Sequence, residues 1–382
     1  MIYLDNAATS YPKPNEVINA INKSFVLYGA NPGRSGHNLS INTAMAVYSA
    51  RETINDFFDG YGSEYVSFTQ NCSYALNIAI KGVLKKGDHV IISSLEHNSV
   101  ARPVYKLGEI GEISYSIFDV SHNVYETLCN LKNCIRNNTK LIVVTAVSNV
   151  FGDILPIREI AEIAKANGIL FFVDGAQGAG VIPLKMREMG INCICVPGHK
   201  SLLGPMGIGV IIHDGCVLNT IIEGGTGTES FNFKQPLDYP ERLESGTINV
   251  PAICGLKKGI EIISSYGVVN VFRDESDLMK YMFNELLSMR NIILYRNEYE
   301  EERFAPVIAF NVKGKHSEEV AALLNENGVA VRGGYHCSPL AHKTYKTEDV
   351  GAVRVSPSRF TTKKDVNYVL NLLQKIAINK NM

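Results

Sequence analysis

The stretch from residue 89 to 196 alternates short, wholly apolar runs with helical patterns, and that alternation leaves few folds open. HVIIS (89–93), KLIVVTAV (140–147), GILFFVD (168–174) and NCICV (192–196) read as strands. A strand with one wet face alternates apolar and polar residues. Runs that stay apolar at successive positions belong to a parallel sheet covered on both faces. Between two of them, PIREIAEIAKANG (156–168) has apolar residues at helical spacing, Pro156 near its start and Gly168 past its end. Strand, helix and parallel strand make a βαβ unit, so an α/β fold with a large, doubly wound, mainly parallel sheet is expected.

The chain has 382 residues, too many for one ordinary core. The large domain is expected over 15–258. A smaller α+β domain is expected from 1–14 together with 259–382, because the pattern changes there. VIAFNV (307–312) reads as a strand and HSEEVAALLNENG (316–328) as a helix, with Ser317 as N-cap and Gly328 as its stop. TTKKDVNYVLNLLQKIA (361–377) reads as an amphipathic terminal helix. The first thirty or so residues are expected to pack beside this smaller unit.

Charge narrows the partners. A formal net charge of -1 argues against a nucleic-acid ligand. No apolar run reaches the ~18 residues a membrane helix needs. MIYLDNAATSYPKP lacks the basic start of a secretion signal, so a reducing cytoplasm is the expected setting. The 8 cysteines are sparse and lack zinc-ribbon spacing. This bears on VRGGYHCSPLAH (331–342), where Cys337 follows a histidine. A disulfide is not expected and a metal site is weakened, so a small buried hydrophobe and a nucleophile become the stronger readings beside it.

Ligands of open parallel sheets bind at the carboxyl ends of the strands. The residues just past four of the strands include His97, Asn149, then Asp174 and Gln177, then His199 and Lys200. A carboxylate such as Asp174, after a run of apolar residues, is expensive at the core edge unless it meets a cation. A lysine in a partly dry pocket has a lowered pKa and can form an imine. Pyridoxal phosphate needs such a set: a lysine for the imine, a carboxylate for the ring nitrogen, an aromatic group over the ring and an anion site. TQNCSYALNIAIKGVLKKG (69–87) supplies the anion site as a polar turn opening a helix.

These residues resemble the fold-type I, class V aminotransferase-like enzymes, and among them the cysteine desulfurases. The resemblance runs through YLDNAATSYPKP (3–14), NPGRSGHNLS (31–40), LEHNS (95–99), SNVFG (148–152), VDGAQG (173–178), GHKSLLGPMGIG (198–209), GGTGTES (224–230), ERLESGTINVP (241–251) and RGGYHCSP (332–339). The last of these is similar to the cysteine loop of the group II, selenocysteine lyase-like branch. The resemblance implies that Lys200 carries pyridoxal 5'-phosphate, Asp174 pairs with its ring nitrogen, Gln177 bonds its ring hydroxyl and His97 stacks on it. It places Asn149 on cofactor or substrate, and Cys72, Ser73 and His199 at the phosphate. It gives Arg354 the carboxylate of L-cysteine, and Thr247 the phosphate of a second subunit, hence a homodimer. It makes Cys337 the sulfur acceptor, which hands its persulfide to a protein partner. His336 or Arg332 is expected to favour its thiolate, and Gly333 and Gly334 to free the loop. The sequence departs from the pattern at Cys72, Pro197, Tyr335 and Thr361, where threonine, serine, histidine and asparagine are usual. Two other readings stand beside the desulfurase: a selenocysteine lyase or other C–S lyase, and a non-catalytic scaffold or sulfur-carrier partner.

Overall fold

The computed structural model describes residues 1–33 and 35–378. Arg34 of the NPGRSGHNLS motif and the last four residues of the chain lie outside it. The strands are β1 (Ile2–Tyr3), β2 (Val66–Thr69), β3 (His89–Ser93), β4 (Ser114–Phe118), β5 (Thr139–Thr145), β6 (Leu170–Asp174), β7 (Cys193–Pro197), β8 (Gly209–His213), β9 (Ile292–Leu294), β10 (Ile308–Val312), β11 (Val329–Ala330) and β12 (Val353–Val355). The helices are α1 (Asn15–Leu27), α2 (Asn38–Phe57), α3 (Cys72–Val83), α4 (Asn98–Glu109), α5 (Val124–Asn133), α6 (Ile157–Ala166), α7 (Met186–Met189), α8 (Val250–Tyr266), α9 (Val268–Ser288), α10 (Ser317–Glu326), α11 (Pro339–Thr344) and α12 (Lys363–Ile378).

The main sheet has seven strands in the order β2-β8-β7-β6-β5-β3-β4. Only β8 runs against its neighbours. Side chains alternate between two apolar layers. Ile91, Ile142, Val144, Phe171, Val173, Ile194 and Val196 enter one layer, with Ala50 and Ile54 of α2 and Ile253 and Leu256 of α8. Val90, Ile92, Leu141, Val143, Phe172, Cys193 and Cys195 enter the other, with Ala75 and Ala79 of α3 and Val104 of α4. Both faces are therefore dry, which is why the strands read as unbroken apolar runs. The strand order reverses between β3 and β5, and a ligand crevice opens at such a reversal.

A second core gathers β10 and β12 with α9, α10 and α12, around Phe310, Val353, Phe283, Val320 and Leu373. Here β10 lies between β9 and β12, antiparallel to both. Two local expectations, on Ser317 and on the N-terminal segment, are corrected. Ser317 is the first residue of α10 and His316 stands at the cap position without a side-chain cap bond. The Ser317 hydroxyl instead donates to Val350 O (2.7 Å) and accepts from Gly334 N–H (3.1 Å), so it ties the helix to the cysteine loop. The strand after α10 does not join β10: β11 pairs with β1 in a separate two-stranded sheet. And the N-terminal segment divides. Leu4 packs in the second core, whereas α1 lies against α8, with Ile21 filling the space that a side chain at Gly255 would take.

Candidate active site

Four loops at the carboxyl ends of β3, β5, β6 and β7, with the turn opening α3, enclose one cavity of about 190 Å³. Its lining includes Cys72, Ser73, His97, Asn149, Asp174, Gln177, His199 and Lys200. The sequence placed these residues up to 128 positions apart (from 72 to 200), and the fold brings them to one rim. Pro197 and Ser99 also line it.

Asp174 ends β6 and is buried. It accepts from the N–H of Ala176 (2.9 Å) and lies 3.8 Å from the Cys72 thiol. Burial raises its pKa, and the Ala176 N–H, Lys200 and Cys72 partly offset that. Burial likewise pushes Cys72 well up, so it is a thiol and a donor. Lys200 is half-buried, and its Nζ meets no hydrogen-bond or ion-pair partner among the described residues. Burial lowers its pKa, with Asp174 acting against the shift. Such an amine gives up its proton readily.

His97 caps α4. Its Nδ1 accepts the N–H of Ser99 (3.0 Å), which leaves the proton of the neutral ring on Nε2. Ser99 Oγ is 2.9 Å from the same Nδ1 and 2.6 Å from Ser73 Oγ. Burial, followed by the charges of Lys200, Arg332, Arg102 and Arg354, lowers the His97 pKa to about 4. The ring therefore gains charge only as pH falls through about 4 and is neutral above it. Activity against pH is expected to show no limb near the ordinary histidine value that is removed by His97→Phe. A limb near pH 6.5 that this variant abolishes would show a cationic ring in the working enzyme.

The start of α3 offers an anion seat. Asn71 Oδ1 caps the N–H of Tyr74 (3.0 Å), and the N–H groups of Cys72 and Ser73 have no partner among the described residues. Gly209 makes room for this turn: a Cβ there would stand 2.3 Å from the Asn71 carbonyl carbon. Pro197 has no N–H to add. His199 Nδ1 is buried without a partner, and burial lowers the ring's pKa to about 4.

Arg354, on β12, is 1% exposed. Its Nη1 donates to Asn149 O (2.8 Å) and its Nη2 to Asp5 (2.7 Å), while Nε is buried without a partner. Two of five guanidinium N–H donors are engaged, so the fork retains donors for a carboxylate. The sequence singled out the motif holding Asp5 but not its contacts. Ala7 O accepts from Gln177 Nε2 (2.8 Å). Ser10 N (3.1 Å), Thr9 Oγ1 (3.0 Å), Ser10 Oγ (3.2 Å) and Lys13 Nζ (2.7 Å) all converge on the carbonyl of His199. That carbonyl belongs to the peptide leading into Lys200. Glu96, beside His97, was also missed. It is wholly buried, accepts from Ser93 and from Thr145 N–H (2.9 Å), and burial raises its pKa to about 8.

Cys337 does not line the cavity. It is exposed, and its carbonyl accepts the N–H of Asn98 (2.8 Å), next to His97. Two expectations about its loop are corrected. His336 is buried, with Nε2 on Ala352 O (2.9 Å), and burial lowers its pKa to about 2. It is neutral and faces inward, so it supplies no charge for the thiolate. Gly333 serves close packing and not freedom, because a Cβ there would stand 2.5 Å from Ser317 O. Thr247 is exposed and outside the cavity of its own chain, near Thr69 and Tyr74.

With this geometry in hand, comparison with known proteins gives the lineage. The model for aminotransferase class-V matches residues 2–369. The chain belongs to the class-V aminotransferase family. Within it, a probable cysteine desulfurase of Pyrococcus abyssi is 30% identical, covering 99% of this chain and 94% of the relative. A probable cysteine desulfurase of Methanothermobacter thermautotrophicus is 29% identical, over 98% of this chain and 94% of the relative. The apo structure of a cysteine desulfurase from Thermococcus onnurineus superposes with a TM-score of 0.89 at 29% identity, covering 98% of this chain and 94% of that one. The class-V likeness spans both cores and the cysteine loop.

Proposed function

We propose that this class-V protein is a pyridoxal-phosphate-dependent cysteine desulfurase, converting L-cysteine to L-alanine and passing the sulfur to a protein acceptor through Cys337. One observation carries the reading: Lys200, Asp174, His97 and Gln177 share a cavity, and the only exposed cysteine among the described residues is tied by its own carbonyl to the residue after His97.

The residues fit the cofactor. Lys200 would hold it, Asp174 its ring nitrogen, Gln177 its ring hydroxyl and His97 its face. The N–H groups of Cys72 and Ser73, the Ser73 hydroxyl and the orphaned His199 Nδ1 would hold its phosphate. Bound there, it supplies an electron sink for negative charge at the substrate's α-carbon. Arg354, with Nε unspent, binds the substrate carboxylate beside Asn149. Lys200 Nζ takes the α-proton and returns it. The Cys337 thiolate then attacks the substrate sulfur. The S–S bond forms as the C–S bond breaks, the electron pair stays with carbon, and the protonated fragment leaves as alanine.

Lyase chemistry without a cysteine nucleophile is favoured by one feature, the position of Cys337 outside the cavity lining. Turnover of L-cysteine, L-selenocysteine and L-cystine, with alanine measured, separates the readings. A desulfurase makes alanine from cysteine and a labelled persulfide on Cys337; a lyase restricted to selenocysteine does not. A protein that neither binds the cofactor nor turns over any of the three is a scaffold.

The same reading makes the enzyme a cytoplasmic homodimer. Leu39, Ile41, Met45 and Tyr48 of α2 are exposed, as are Phe231, Phe233 and Leu237 of the loop before α8. Apolar surface on this scale suits a subunit contact. Thr247 of one subunit reaches the phosphate held by the other. A hydrogen bond to a charged group contributes about 1.5–3 kcal/mol, so Thr247→Ala should weaken cofactor retention by roughly tenfold or more. Light scattering should give twice the 42.0 kDa chain mass. A monomer with full cofactor and activity would overturn both statements. No helix among the described residues is long and apolar enough to cross a membrane.

A further inference from the structure

His336 and Cys337 are consecutive residues with φ of 50° and 57°, left-handed backbone that side chains other than glycine disfavour. Such a pair persists only where surrounding bonds hold it. The carbonyl of Cys337 is held by Asn98 N–H (2.8 Å), and the carbonyl of His336 by Asn149 Nδ2 (2.8 Å). The other end of the same amide, Asn149 Oδ1, accepts the Ser338 hydroxyl (2.6 Å), and both residues are buried. The two contacts agree on the amide's orientation. Only its nitrogen end can serve the His336 carbonyl, which leaves its oxygen end to Ser338. Asn149 thus grips the turn from both sides of Cys337, while its backbone carbonyl holds Arg354 Nη1.

We propose that Ser338 is a positioning residue for Cys337: through Asn149, its hydroxyl locks the left-handed turn so that the sulfur acceptor is presented in one geometry. Ser338 is wholly buried, so it touches neither substrate nor acceptor and acts only through this link. The inference rests on the reading of Cys337 as sulfur acceptor.

The test compares cofactor-loaded wild type with Ser338→Ala and Ser338→Thr. Hydrogen exchange is followed in peptides covering Asn98 and 332–339, alongside steady-state alanine formation from L-cysteine. In Ser338→Ala, exchange at both segments should quicken by roughly tenfold, the effect of one buried hydrogen bond. kcat should fall by about the same factor, with KM within about twofold and cofactor absorbance unchanged. Ser338→Thr, which keeps the hydroxyl, should restore both. Unchanged exchange in Ser338→Ala would overturn the proposal. So would faster exchange with unaltered kcat, or a rise in KM alone. If the wild type makes no alanine from cysteine, the functional reading has failed, and the exchange arm still decides whether Ser338 holds the turn.

Discussion

Replacing Lys200 with alanine is expected to leave a folded protein that makes alanine from L-cysteine at least ~10³-fold more slowly. On the proposed reading the amine is both the covalent seat of the cofactor and the carrier of the α-proton, and burial lowers its pKa. His97 is neutral with its proton on Nε2, and Asp174 Oδ1 faces the Ala176 N–H and the Cys72 thiol, which leaves Oδ2 for the proposed ring-nitrogen contact. The fold should tolerate the change, because Nζ has no partner to lose among the described residues and burial of the amine is itself unfavourable. The thermal midpoint should hold or rise. Borohydride reduction of the wild type followed by peptide mass mapping should find the pyridoxyl group on Lys200. Lys13 is the instructive competitor: burial lowers its pKa to about 8, and it lies against the His199 carbonyl. An adduct on Lys13 would overturn the assignment.

Cys337→Ser should keep the cofactor spectrum and lose about 10²–10³-fold of alanine production from cysteine, because serine is a far weaker nucleophile at neutral pH. The Cys72 thiol lines the cavity, but burial pushes its pKa well up, so it is not the thiolate that the attack needs. Cys72, Cys193 and Cys195 are buried and the remaining four are half-buried. Burial pushes the pKa of Cys193, Cys195 and Cys216 up, which holds them as thiols. Selenocysteine cleavage should be less affected, since selenide leaves without help. Wild-type release of alanine and sulfide from cysteine by the variant would make the chemistry lyase-like.

The strands around the site were legible because each is dry on both faces, so its residue types and the polar group just past it stand out without any structure. That is how His97, Asn149, Asp174 and Lys200 could be read from the sequence. The signal fails where a residue's role depends on a distant partner. Asp5 sits in a motif that resembles the family, yet nothing local says that it meets Arg354. Ser338 is one more small polar residue in a loop until Asn149 is found beside it. Ser317 was read as a cap because serine favours that position, whereas here its hydroxyl is claimed by Val350 and the cysteine loop. His336 misled in a similar way, since burial and not its neighbour in sequence decides its charge.

The contacts of Asp5 and Ala7 have a consequence for biosynthesis. Asp5 and its partner Arg354 are separated by 349 positions, as are Ala7 and Ser356. The ribosome makes the N-terminal strap early and the groups that dock it almost last. The strands of the main sheet are made long before then, whereas Arg354 and the turn holding Cys337 are synthesised only after all the residues lining the Lys200 cavity. A nascent or prematurely terminated chain that has formed its main sheet therefore carries the Lys200 cavity without Cys337. If Cys337 is the sulfur acceptor and Arg354 the carboxylate clamp, as proposed, such a chain cannot start drawing sulfur from cysteine, and persulfide is expected only on molecules whose synthesis has passed β12.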